Sequence, residues 1–264
     1  MEYSGMSRNP APRRQASRRR GPIELDLLVT GVLLLSLTAA GLFLGDVGIL
    51  RRSPAVEASV VGNGTEAAFT LVIDPGHGGL DGGATAEDGT RESFINLQIC
   101  LRMRDLSELL GLPCRLTRAE ETLDYPQDRE TVHEKKVWDQ KRRVDLINET
   151  PGGVLLSVHQ NRYPDPRPSG SQVLYAGTEG SAELAEKLHD NLIAALCPEN
   201  RRVAAPVSDS IYLMKRVNCP AVLVECGFLS NPGEAERLKS GDYQTALAAV
   251  LVSSVLQYRQ SLST

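Results

Sequence analysis

The sequence lacks most of the short signatures by which enzymes and metal proteins announce themselves. Its five cysteines, Cys100, Cys114, Cys197, Cys219 and Cys226, are odd in number and include no Cys-x-x-Cys pair. That argues against a zinc ribbon or a disulfide framework. Three of them stand in apolar contexts, where a free thiol behaves as a small hydrophobe. An exported protein with unpaired thiols fits a Gram-positive surface or a forespore compartment better than an oxidising periplasm. No Gly-Lys-Ser/Thr follows the glycine-rich stretch, which excludes a phosphate-binding loop. No Gly-x-Ser-x-Gly is present, which excludes a serine hydrolase elbow. His-Glu-x-x-His is missing too, and no internal repeat occurs. Basic residues are scarce where a nucleic-acid surface would need them. Residues 1–20 hold six arginines against one glutamate, +5 of a whole-chain −4, which leaves −9 for residues 21–264. Nucleic acid is therefore no partner of the main body of the chain.

One long apolar run is present. Leu27–Gly45 holds no charge over nineteen residues, about enough to cross a hydrocarbon core as a helix. The basic segment 1–26 before it keeps the N-terminus in the cytoplasm and exports the rest. The run is longer than a secretory h-region, and its best small-residue site, Thr38-Ala39-Ala40, lies inside it, so an uncleaved anchor is favoured over a cleaved signal. Residues 46–68, with Pro54, Gly62, Asn63 and Gly64, read as a linker.

From about residue 69 the pattern changes to strands alternating with helices. Leu71–Ile73, Cys114–Arg118, Gly153–Val158, Gln172–Ala176, Ile211–Met214 and Ala221–Glu225 are expected to be extended. Thr90–Leu110, Trp138–Glu149, Ser181–Leu196 and 242–260 are expected to be helical, with Ser181 as an N-cap. Residues 119–137 read as a polar surface loop, and His133 and His189 as surface residues. This predicts one α/β domain over 69–264, with a central, mostly parallel or mixed sheet flanked by helices.

The chemistry gathers at strand ends. Leu71–Gly83 runs from a strand into a turn crowded with glycine around His77; taken alone, it could be a plain turn with an exposed histidine. His159 ends a second apolar strand, and Glu225 ends a third. Parallel strands deliver such ends to one sheet edge. Glu92 follows His77 by fifteen residues, in the first turn of a helix, where a glutamate also suits the helix dipole. Two imidazoles and a carboxylate make a catalytic zinc set with an open position, and a second carboxylate beside it would act as general base. A carboxylate leaving an apolar strand, as Glu225 does, needs such a reason.

Ile-Asp-Pro-Gly-His-Gly-Gly-x-Asp-Gly-Gly-Ala, the glutamate fifteen residues on, Ser-Val-His-x-Asn and Val-Glu-Cys-Gly-Phe-Leu-Ser-Asn-Pro together resemble the zinc-dependent N-acetylmuramoyl-L-alanine amidases of the third amidase family. The likeness covers residues 70–260 in order. It is strongest to the spore-cortex, germination-specific type, on the single apolar segment without wall-binding repeats, Lys141–Asn148, Ser210–Met214 and the loop around 120–140. The resemblance implies one zinc per chain, on His77, Glu92 and His159, and a catalytic Glu225. It gives Asn161 and Arg143 support roles, holding loops or touching substrate. It implies a peptidoglycan substrate in a Gram-positive envelope or forespore membrane, a helper protein for activity and a deacetylase downstream that closes a muramic δ-lactam. Gln160 and Arg91 depart from the family's usual residues and remove no ligand. Two rivals keep the same fold. One is a zinc carboxypeptidase on stem peptides, with Arg143 as its carboxylate clamp. The other is a non-catalytic membrane-anchored wall-binding protein, which the presence of all four chemical residues disfavours.

Overall fold

Six strands make one mixed sheet, in the order β2-β1-β3-β6-β4-β5. β1 is Thr70–Pro75, β2 Cys114–Leu116, β3 Gly153–Asn161, β4 Gln172–Tyr175, β5 Ala205–Pro206 and β6 Ala221–Phe228. β2, β1, β3 and β6 run parallel, while β4 pairs antiparallel to β6 and carries β5 parallel to itself. Five helices complete the domain: α1 Glu92–Leu109, α2 Val132–Asn148, α3 Ser181–Leu196, α4 Pro232–Lys239 and α5 Gly241–Ser261. The computed structural model describes residues 68–263, which lie in one compact unit, Gly64–Thr264. The expected basic segment, anchor and linker fall outside the described residues. Among the described residues no helix is long and apolar enough to cross a membrane.

Strand parity sorts the side chains. Leu71, Ile73, Leu156, Val158, Val222 and Val224 meet Ile95 and Ile99 of α1, Leu188 of α3 and Leu251 of α5 in the larger core. The alternate residues, Val72, Leu155, Ala221 and Leu223, meet Val144 and Ile147 of α2 and the turn holding Leu213 and Met214 in a smaller one. Fully burying such a side chain contributes about 1.5–3 kcal/mol, so a slip of one residue in any central strand would be costly. Where the second face runs past the cover of α2 and that turn, the next residues on it are polar.

Several expectations are corrected. α2 begins at Val132 rather than Trp138, because Thr131 and Glu134 form a reciprocal capping box that satisfies two free backbone N–H groups. Residues 119–131 are the actual loop. Ile211–Met214 is no strand; it enters a run of turns whose apolar side chains cap the smaller core. Gly180, left-handed at φ 78, is the N-cap of α3, and Ser181 opens the helix instead, its Oγ accepting from the Ala221 N–H. His189 is buried, at 6% exposure, rather than on the surface. β5 and α4 had no counterpart among the expected elements.

Candidate metal and catalytic site

β1, β3 and β6 end at one sheet edge, and their parity brings Asp74, Ser157, His159 and Glu225 to one face. His159 and Glu225 are register partners across the β3–β6 pair. Beyond Pro75 the chain turns sharply, and His77 takes φ 60, a left-handed conformation that costs a non-glycine residue about 1–2 kcal/mol. The chain then loops back and enters α1 at Glu92, whose N–H donates to Ala84 O at 2.8 Å. Two glycines make this approach feasible. A Cβ at Gly76 would overlap the His159 ring, and one at Gly83 would strike Glu92 Oε2 and the His77 ring.

The three expected ligands converge. His77 Nε2 lies 3.3 Å and His159 Nδ1 3.0 Å from Glu92 Oε1, the two rings meet edge to face at 5.0 Å, and one donor atom from each of the three residues lies within 4.8 Å of the others. Donors bound about 2.0–2.1 Å from a tetrahedral zinc stand about 3.3 Å apart, so two imidazoles and a carboxylate at this spacing fit that ion. The Glu92 carboxylate is oriented by N–H groups of Ala84 at 2.8 Å and Gln160 at 3.0 Å, with Asn96 Nδ2 at 3.3 Å. Burial opposes its charge, but the two histidines beside it hold its carboxyl far below the ordinary range. His77 Nδ1 faces Asp81 Oδ2 at 3.1 Å, and Lys136 Nζ holds the same carboxylate at 2.8 Å. Burial pulls the His77 pKa down, yet Asp81 and Glu92 overcome it and raise it to about 9. A field that favours a proton on His77 also favours a cation beside it.

Glu225 stands alongside with a different environment. Burial pushes its carboxyl up to about 7, His159 opposing and Glu92 reinforcing the rise, and its Oε2 is buried without a hydrogen-bond partner. It lines, with His77, Glu92 and His159, a cleft of about 460 Å³ whose rim carries Leu80 and Tyr125.

Arg143 lies beneath the site rather than in the cleft's mouth. At 4% exposure, it pairs with Asp74 at 2.8 Å and Asp139 at 2.9 Å and donates to Pro75 O at 2.7 Å and His77 O at 2.5 Å. Burial opposes the Asp74 charge, but Arg143, Ser157 and Thr117 hold its carboxyl down at about 2. Asn161 lines the cleft; its side chain reaches Gln172 at 3.5 Å and its carbonyl accepts from Leu229 N–H at 2.8 Å. His133 is exposed at the start of α2, and with His189 it stands apart from the cluster. Reading the sequence for chemistry missed Asp81, Lys136, Asp74, Asn96 and Arg118, which all contact the candidate ligands or the residues that hold the loop carrying them. Asp74 and Asp81 had a signal, standing inside the glycine-rich motif three residues before and four residues after His77.

Comparison with known proteins identifies the family. Residues 71–257 match the family model Amidase_3, described as N-acetylmuramoyl-L-alanine amidase. The chain is 35% identical over 189 residues to the germination-specific N-acetylmuramoyl-L-alanine amidase of Bacillus subtilis, covering 71% of this chain and 78% of that protein. It is 28% identical to the amidase LytC of the same organism, over 80% of this chain and 40% of LytC. Among solved structures, the CwlD amidase of Clostridioides difficile, determined in complex with the GerS lipoprotein, superposes with a TM-score of 0.70 at 33% identity, over 74% of this chain and all of that one. The chain belongs to the Amidase_3 family of N-acetylmuramoyl-L-alanine amidases.

Proposed function

We propose that this cleft hydrolyses the amide between the lactyl group of N-acetylmuramic acid and L-alanine in peptidoglycan, with His77, Glu92 and His159 holding one zinc ion and Glu225 as the catalytic base. A zinc ion bound there supplies Lewis acidity to the scissile carbonyl and makes the attacking water more acidic. Asp81 accepts the proton of His77 Nδ1, which leaves the Nε2 lone pair free for the ion. Ala84 and Gln160 N–H groups keep the Glu92 carboxylate from rotating away. Glu225, poised near neutrality, takes a proton from the attacking water as the C–O bond forms, then gives it to the alanine nitrogen as the C–N bond breaks. Asn161 and Arg143 act in support, Arg143 through the carbonyls of the His77 loop.

The observation that carries this reading is the buried, unpartnered Oε2 of Glu225 beside the His-Glu-His cluster. An uncompensated buried carboxyl is costly, and a proton relay is what that cost supports. Likeness to a germination-specific amidase supports a role in spore cortex maturation, with the domain held outside the cytoplasm by a signal anchor at 27–45 and a linker at 46–68. Digestion of purified peptidoglycan by the zinc-loaded protein tests the reaction. Released stem peptides with a free N-terminal L-alanine are expected, and shortened stems still attached to muramic acid would contradict it. The full chain is expected in the membrane fraction. A soluble mature form starting near residue 41–46 would contradict the anchor.

A further inference from the structure

We infer that Arg118 is a positioning residue of the metal site: its guanidinium, passing beneath the glycine-rich loop, fixes the main chain that carries His77 and Glu92 before any ion is bound. Arg118 follows β2 at the sheet edge, and its side chain is 1% exposed. Its Nε donates to Pro75 O at 3.1 Å and His77 O at 2.8 Å. Its Nη2 donates to Gly76 O at 3.1 Å and Ser93 O at 2.8 Å, and its Nη1 to Glu120 O at 3.0 Å. One planar fork therefore joins the loop around the first ligand, the residue next to the second, and the 119–131 loop.

The charge on Arg118 is compensated sparingly. Among the described residues its one ion pair, to Glu121, is 3.4 Å long, and Arg143 shares two of its carbonyl acceptors, Pro75 O and His77 O. Burying a cation on terms this thin is costly, so its contribution to net stability is a poor account of its presence. Geometry gives a better one. Three consecutive carbonyls, of Pro75, Gly76 and His77, turn to the same side, which an unsupported peptide resists because each needs its own donor. Arg118 supplies donors to all three, and so holds His77 at its left-handed φ of 60. The loop is shaped around it, since a Cβ at Gly78, φ 128, would lie 2.7 Å from Arg118 Nε. Lysine keeps the charge but has no fork, so it could serve only part of this set.

The inference rests on His77 and Glu92 being ligands, and its test separates the two ideas. Zinc affinity of the full-length protein is measured by competition with a chromogenic chelator, with thermal melting followed in EDTA. Arg118→Lys is expected to weaken zinc about 10–100-fold, the range for residues that orient metal ligands, with KM changed little at saturating zinc. Leu192→Ala, a truncation in the larger core, is the stability control and is expected to lower the melting temperature while leaving zinc affinity alone. An Arg118→Lys protein that melts lower but binds zinc as tightly as the parent would overturn the inference, as would an equal loss of affinity in Leu192→Ala. If Arg118→Lys fails to fold, Gly78→Ala, which displaces the guanidinium from the other side, decides: unweakened zinc there refutes the role. His77→Ala run in parallel is expected to abolish stoichiometric zinc; retention would refute the ligand assignment itself and leave Arg118 without a site to position.

Discussion

On β3, Leu156 and Val158 point into an interface shared with α1, α3 and α5, whereas Ser157 and His159, one residue along in each case, point to the face that holds Asp74 and Glu225. Both faces belong to the same three strands, with the same hydrogen bonds and twist. The difference lies in what covers them. Three helices close the first face over its length, so its side chains stay apolar until Gln160 near the end of β3, which is buried and bonded to Asn96 of α1. The second is covered by α2 and the 211–217 turn only partway, and beyond that cover a cleft opens in which polar side chains keep access to water and substrate. One period-2 alternation thus builds a core and an active centre from interleaved residues.

Substitutions on the two faces are therefore expected to fail differently. The largest effect belongs to the cleft: His77→Ala or His159→Ala should lose stoichiometric zinc and all measurable cleavage, with the fold retained by circular dichroism. Next comes Asp74→Asn. It leaves Arg143 buried beside a neutral amide and should cost about 3–5 kcal/mol in chemical denaturation, the range for breaking one side of a buried ion pair. It should weaken zinc as well, because Arg143 also holds His77 O. Leu156→Ala, on the closed face, should cost about 2–5 kcal/mol with zinc affinity unchanged, and a fall in affinity there would break the comparison. The smallest effect is in acid. Asp74 titrates at about 2 in the fold against an ordinary 3.8, so its contribution, about 2 kcal/mol, is complete above pH 3.8. It is lost as the pH falls from there through 2. The pH dependence of unfolding should flatten in that window in Asp74→Asn.

The parts legible in the sequence were those with a local signature. Leu71–Ile73, Gly153–Val158 and Ala221–Glu225 are apolar runs bounded by glycine or proline, and His77, His159 and Glu225 stand where those runs stop. The start of α2 was legible too, through Thr131-x-x-Glu134, but the surrounding charge and Pro126 made the stretch look like loop. Ile211–Met214 is apolar because it caps the smaller core, and burial of that kind leaves no periodicity to distinguish turn from strand. His189 sits where its helix meets neighbours no local pattern reveals. Arg118 was the hardest to see. Four of its five carbonyl partners lie 25 to 43 residues distant, and a carbonyl has no residue identity to read.

The account depends most on Glu225 as the proton carrier, and zinc content with muropeptide cleavage for the parent chain beside Glu225→Gln tests it directly. About one zinc in each protein is expected, with cleavage by the variant lower by on the order of a hundredfold or more. A zinc-loaded Glu225→Gln protein that cleaves at nearly the parental rate would contradict it.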